Sequence, residues 1–146
     1  MGFILDSNIY IDAARDPGKM EELRRFYDSY LPFTYLHAVV AQELLAGAVN
    51  RRRMGEVREG LIGPFERRGR VVAPAFATWK RSGEIIARMT ARKLISPGGF
   101  SRSFLADVLL AASCRDSGHR LITANLADFE RISAVERFEF QAPYPE

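Results

Sequence analysis

Apolar residues along this chain alternate between short unbroken runs and longer stretches where they recur every three or four positions, the spacings of strands and of helices. Phe3-Ile4-Leu5 reads as a strand and Asp6-Ser7-Asn8 as the turn after it. Ile9, Ile11 and Ala14 follow as a helix, broken by Asp16-Pro17-Gly18. Leu23, Phe26 and Tyr27 carry a second helix over 19–30, which Pro32 stops. Phe33-Thr34-Tyr35 predicts a second strand and residues 37–48 a third helix. Residues 51–68 are helical in pattern, with Gly60, Gly63 and Pro64 weakening the second half.

Val71-Val72 predicts a third strand, and residues 76–94 a long amphipathic helix with Trp79, Ile86 and Met89 toward the core. Ser96-Pro97-Gly98-Gly99 is a loop, after which Ser101 is placed to cap a helix over 102–116. Gly118 ends that helix. A strand over 120–123, a short helix over 126–132 and a last strand over 138–140 complete the pattern. Strands alternating with helices predict an α/β fold with a mainly parallel sheet. Ligands of such folds gather beyond the carboxyl ends of the strands.

Four carboxylates break the apolar pattern. Asp6 ends the first strand, and Asp128 follows the strand-like run Leu121-Ile122-Thr123 by a few residues. Glu43 shares a helical face with Val39, Val40, Ala46 and Gly47, and Asp107 shares one with Phe104, Leu110 and Ala111. A buried carboxylate is costly unless it is paired, protonated or bound to a cation. None of the four has an obvious Lys or Arg partner beside it, so together they suggest a divalent-cation site. Asn125 and Asp128, three residues apart, also match a capping box at a helix start. Thr123 and Asn125 are polar groups at a strand exit, suited to contact metal-bound water or a phosphate. An all-oxygen set suits Mg2+ or Mn2+. Zinc is disfavoured: His37 and His119 have no ligand spacing, and His119 in its Gly-His-Arg turn is expected to be solvated.

With 146 residues the chain is expected to form a single domain over 1–146. No apolar run approaches the roughly 20 residues of a membrane span, and the start lacks a basic segment followed by a long apolar one. A lone cysteine, Cys114, lies on the stripe of Leu110 and Ala111 and is read as an inert core thiol, in keeping with a cytoplasmic protein. The net charge of +3 is unevenly spread. Residues 51–102 hold thirteen basic and four acidic side chains, whereas 1–50 and 103–146 each hold four basic and seven acidic. An acidic pocket beside a basic surface suits a metal enzyme acting on a polyanion.

Four features in this order resemble the PIN-domain ribonucleases, and specifically the VapC-type toxins of toxin–antitoxin pairs. They are Phe3-Ile4-Leu5-Asp6-Ser7-Asn8, Glu43-Leu44, Ala106-Asp107 with its following Leu-Ala-Ala run, and Leu121-Ile122-Thr123-Ala124-Asn125-Leu126-Ala127-Asp128-Phe129. The resemblance runs essentially end to end. It implies a three-layer α/β/α fold and Mg2+- or Mn2+-dependent endonucleolytic cleavage of RNA, with Asp6, Glu43 and Asp107 as the acidic metal triad. Ser7 and Asn8 would shape the turn around Asp6. Where many PIN domains carry a fourth acid this chain has Asn125, and Asp128 lies three residues on, as a further catalytic candidate. The resemblance also implies a homodimer and inhibition by a small antitoxin whose tail enters the acidic cleft. For gripping RNA phosphates the basic third offers Arg51, Arg52, Arg53, Arg67, Arg68, Lys80, Arg81, Arg92, Lys93 and Arg102.

Two other readings compete. A haloacid-dehalogenase-like phosphatase also uses an Asp after its first strand, but expects a second Asp where this chain has Asn8. A PIN-like module could instead bind RNA or protein without cutting it.

Overall fold

A parallel sheet of five strands, ordered β3-β2-β1-β4-β5, forms the middle layer of three, and puts the first strand at its centre. The computed structural model describes residues 2–145, so the two end residues of the expected 1–146 domain lie outside it. The strands are β1 (Phe3–Leu5), β2 (Thr34–His37), β3 (Val71–Val72), β4 (Arg120–Ile122) and β5 (Phe140–Gln141). The chain winds outward from β1 through β2 to β3, then returns to the other side of β1 with β4. That reversal opens a crevice beyond the carboxyl ends of β1 and β4.

Four of the helices that frame the sheet start at a side chain that caps them. Asp6 turns its carboxylate onto the Ser7 amide at 2.8 Å and opens α1 (Ser7–Arg15). Asp16 does the same for Gly18 ahead of α2 (Pro17–Tyr30), with Pro17 in the first turn, where its missing N–H costs nothing. α3 (Ala38–Ala46) is capped by His37, whose Nδ1 accepts the Val39 amide at 3.1 Å. Ser101 caps α7 (Arg102–Ser117), which Gly118 ends in the left-handed region at φ 72°. α6 (Phe76–Ala91) precedes α7, and α8 (Leu126–Ser133) follows β4. Helices α1, α2 and α3 pack together, as do α6, α7 and α8. Between them Ile4, Leu5, Leu36, Leu121 and Ile122 of the sheet are almost fully buried.

Three local expectations are corrected. The stretch expected to be one helix over 51–68 is α4 (Arg51–Gly55), a π-wound turn over Glu56–Ile62, and α5 (Gly63–Arg67). Pro64 has no N–H to give, and the Gly63 amide reaches five residues back to the Arg58 carbonyl, which widens the turn. Trp79 is 55% exposed, because the inward stripe of α6 runs Thr78, Ser82, Ile85, Met89 and leaves Trp79 one position off it. His119 is half-buried, its ring stacked 4.3 Å from that of Tyr35 and its Nδ1 accepting the Gly2 amide. Cys114 is buried among core side chains, and burial pushes its thiol up, as an inert thiol requires. Among the described residues no helix is long and apolar enough to cross a membrane.

His37 yields the first prediction. It is fully buried, and its Nε2 has no hydrogen-bond partner among the described residues. Burial pushes its pKa down to about 4. The unfolded chain therefore takes up a proton near pH 6.5, which the folded chain refuses until about pH 4. The contribution of His37 is full above pH 6.5 and falls as the pH drops through this window, by about 2.5 kcal/mol at pH 4.5. His37→Asn keeps a capping oxygen and removes the titration. Urea unfolding at pH 7 and pH 4.5 should show a loss smaller by about that amount in the variant, and equal losses would refute the assignment.

Candidate active site

Asp6 stands at the crevice mouth, tied down on three sides. Its Oδ1 accepts the Ser7 amide at 2.8 Å. Its Oδ2 accepts the Thr123 hydroxyl at 2.8 Å and the Asn8 amide at 3.1 Å. The β1–β4 pairing continues into the turn through an Asp6 N–H to Ile122 carbonyl bond at 2.9 Å, so both strand exits are held as one unit. Asn8 extends this unit by accepting the Ala124 amide at 3.3 Å.

Glu43 reaches the same turn from α3, its Oε2 accepting the Ser7 hydroxyl at 2.6 Å. It is half-buried rather than enclosed, and looks into an open cleft between α1 and the start of α4. Asp107, in the second turn of α7, is only 9% exposed. Its carboxyl is pushed up to about 7, first by burial and then by the negative charges of Asp6, Glu43 and Asp128. Asp6 is likewise raised, mainly by burial and also by Glu43, against the lowering effect of its three donors. Four acids from four parts of the chain thus feel one another at one end of the sheet.

Asp128 differs in having a cation. Its Oδ1 accepts from Arg131 at 3.2 Å, and its Oδ2 accepts from the Asn125 side chain at 3.1 Å. The Asn125 side chain makes no capping bond to the helix, so the expected capping box is a side-chain pair instead. The Asn125 amide donates to the Thr123 hydroxyl at 3.0 Å, which links this pair back to Asp6. Arg131 was not among the expected site residues, although its place three residues after Asp128 on a helix is a legible ion-pair spacing. Its guanidinium also reaches the Leu94 carbonyl and lies over the Phe104 ring.

The basic third does not become one surface. Arg51, Arg52 and Arg53 begin α4 beside the cleft, with Arg52 and Arg53 both paired to Glu56. Arg92 and Lys93, on the segment leading into α7, and Arg102, its first residue, are exposed at the Asp107 end of that helix. Arg67 and Arg68 precede β3 and so lie toward the opposite edge of the sheet, where Arg68 bonds to the Pro64 carbonyl. Lys80 and Arg81 are on α6 at the far end of α7. Arg81 pairs with Asp116, about 14 Å along α7 from Asp107 at 1.5 Å per residue. Arg81 also meets Glu136 and the Ala112 carbonyl, so its donors serve the fold and it leaves the set of candidate phosphate contacts.

The donors at the rim are all oxygens, the chemistry of Mg2+ or Mn2+ rather than zinc. Glu43 raises the cost of ionising Asp6, and both raise that of Asp107, with no Lys or Arg bonded to the three among the described residues; a cation would remove that cost. Among the described residues no three acidic, histidine or cysteine side chains already stand at the spacing of a closed cage. The oxygen chemistry of these residues, not a preformed cage, is what suits a hard divalent cation.

An α/β/α layering with an acidic crevice at the switch of its parallel sheet defines the class. A family model for the PIN domain matches residues 3–135, and the chain belongs to that family. No curated protein sequence matches the chain. Among solved structures, it is similar to a chain of FitAB bound to an IR36 DNA fragment, at 17% identity, TM-score 0.72 and coverage of 99% of this chain and 97% of the other. A DNA-bound VapBC from Salmonella typhimurium gives 22% identity, TM-score 0.72 and coverage of 97% and 98%. VapBC-1 from nontypeable Haemophilus influenzae gives 19%, 0.70 and the same coverage. At these identities the likeness is one of fold.

Proposed function

We propose that this chain is a divalent-cation-dependent endoribonuclease, acting as a single domain and as the toxin of a VapBC-type pair. The observation that carries the reading is the meeting of Asp6, Glu43 and Asp107 at one rim, where Asp107 is raised to about 7, first by burial and then by the charges of its acidic neighbours. Asp6, Asp107 and Glu43 would hold Mg2+ or Mn2+, which when bound supplies charge neutralisation at the scissile phosphate and activation of the attacking water.

The chain's own residues prepare that chemistry. Thr123 and Asn8 orient Asp6, and Ser7 fixes Glu43, so the oxygens are set before substrate arrives. Asp128, held by Asn125 and Arg131, adds negative charge at the edge of the set. Asn8 is spent on Asp6 as an amide donor and has no carboxyl to act as an acid, which speaks against phosphatase chemistry. The VapBC and FitAB complexes similar in fold support a small antitoxin as partner. A homodimer and a cytoplasmic location belong to the same reading.

The test is incubation of purified protein with structured RNAs in Mn2+ or Mg2+, beside an Asp6→Ala/Asp107→Ala variant. Cleavage by the native chain alone, stopped by chelation, is expected. Equal cleavage by the double variant refutes the reading. Binding of RNA without cleavage would favour a non-catalytic PIN-like module, in keeping with the absence of a ready three-ligand cage among the described residues.

A further inference from the structure

Beside the acidic rim lies a cleft of about 410 Å³ whose lining includes Ile11, Arg15, Glu43, Leu44, Val49 and Arg53. Two walls meet there: the last turn of α1 and the junction between α3 and α4. Glu43 belongs to both the rim and the cleft, so whatever fills the cleft is continuous with the reacting centre. Arg15 is exposed and has no ion-pair partner among the described residues. Arg53, on the other wall, is paired to Glu56 through Nη1 only. Val49, 87% exposed, adds an apolar face between them.

The charge balance explains why such cations are needed. A polyanion approaching Asp6, Glu43, Asp107 and Asp128 is repelled, and a cation among them would relieve this only locally. Attraction must also come from fixed positive charge flanking the acids. Arg15 lies about 12 Å along α1 from Ser7 at 1.5 Å per residue. Set back from the rim by that rise, its guanidinium is placed for a phosphate next to the scissile one. A planar guanidinium with five donors is well matched to a phosphate diester. Arg15 lies outside the basic third of the sequence, so composition gave no sign of it.

We propose that Arg15 and Arg53, facing each other across the cleft beside Glu43, form a subsite for a backbone phosphate of single-stranded RNA flanking the cleaved bond. This subsite rests on the nuclease reading and specifies how that site takes its substrate. Arg15 and Arg53 are positioning residues: they fix the strand's register and leave the chemistry to the rim.

The test is equilibrium binding of a fluorescent single-stranded RNA oligonucleotide to the full chain in EDTA, over a series of salt concentrations. Arg15→Ala should weaken binding about fivefold to tenfold and lower the salt slope by about 0.7, the loss of one phosphate contact. Arg15→Lys should recover most of both. Arg24→Ala, on the exposed face of α2, should change neither. Unchanged affinity and slope in Arg15→Ala, with the native chain binding RNA, overturns the subsite alone and leaves the cleft to a protein partner. If the native chain neither binds nor cuts RNA, the nuclease reading fails and the subsite with it.

Discussion

Asp107→Asn is expected to lower RNA cleavage by about a thousandfold and, in cation-free protein, to make the fold more stable at pH 8. The two effects have one origin. Asp107 is pushed up to about 7 by burial and by Asp6, Glu43 and Asp128. Well below pH 3.8, both folded and unfolded chains hold the proton, and the group contributes nothing. As the pH rises, the unfolded chain releases the proton first, so stability falls until about pH 7 and then levels off. The full difference is about 4 kcal/mol at most. Asparagine has no charge to release and escapes this penalty. A bound cation would also remove it, so the variant's advantage should vanish as Mg2+ is added. Thermal unfolding at pH 5 and pH 8, with and without Mg2+, follows both changes. A stability difference indifferent to pH and to Mg2+ would separate Asp107 from any cation, and full cleavage by the variant would remove it from the reaction.

The sequence made Asp6 and Asp107 legible because each violates its local pattern: one ends an apolar strand, the other interrupts an apolar helical stripe. Violations of that kind are expected where function outweighs stability. Their companions Ser7, Asn8 and Thr123 were legible only by neighbourhood, since a hydroxyl or amide at a strand exit is common in any turn. The pairing of Ser7 with Glu43 joins residues 36 positions apart, and no periodicity predicts it. The basic third misled for the same reason. Charge along the chain is one-dimensional, whereas the fold sets Arg81 of α6 beside Asp116, at the end of α7 away from Asp107. Arg81 therefore belongs with Asp116 and Glu136, and Arg15, from an acidic stretch, faces the cleft. Helix periods fixed which faces turn inward over most of the fold, yet failed at Trp79, where the stripe is set by Ile85 and Met89 further along.

Glu136→Ala is expected to destabilise the protein by about 3 kcal/mol while leaving RNA affinity per folded molecule unchanged. Glu136 lies outside any helix or strand and is 6% exposed, yet three arginines converge on it. Arg88 Nη2 approaches Oε2 at 2.8 Å, and Arg115 Nη1 approaches Oε1 at 2.9 Å. Arg81 Nε lies 3.4 Å from Oε1, an ion pair without hydrogen-bond alignment. The three come from α6 and α7, so a single carboxylate fastens both helices to the segment after α8. Removing it leaves three cations facing one another over a buried position with only Asp116 nearby. The arginines are partly exposed and will turn toward water, which keeps the loss at the lower end for a broken buried pair. Glu136→Gln, which retains a hydrogen-bonding oxygen, should lose less than the alanine variant. Urea midpoints of the three proteins decide the matter. Equal midpoints would mean that solvent already screens the arginines, and that packing of Ile85, Met89, Leu110 and Ile132 alone holds these helices on the sheet.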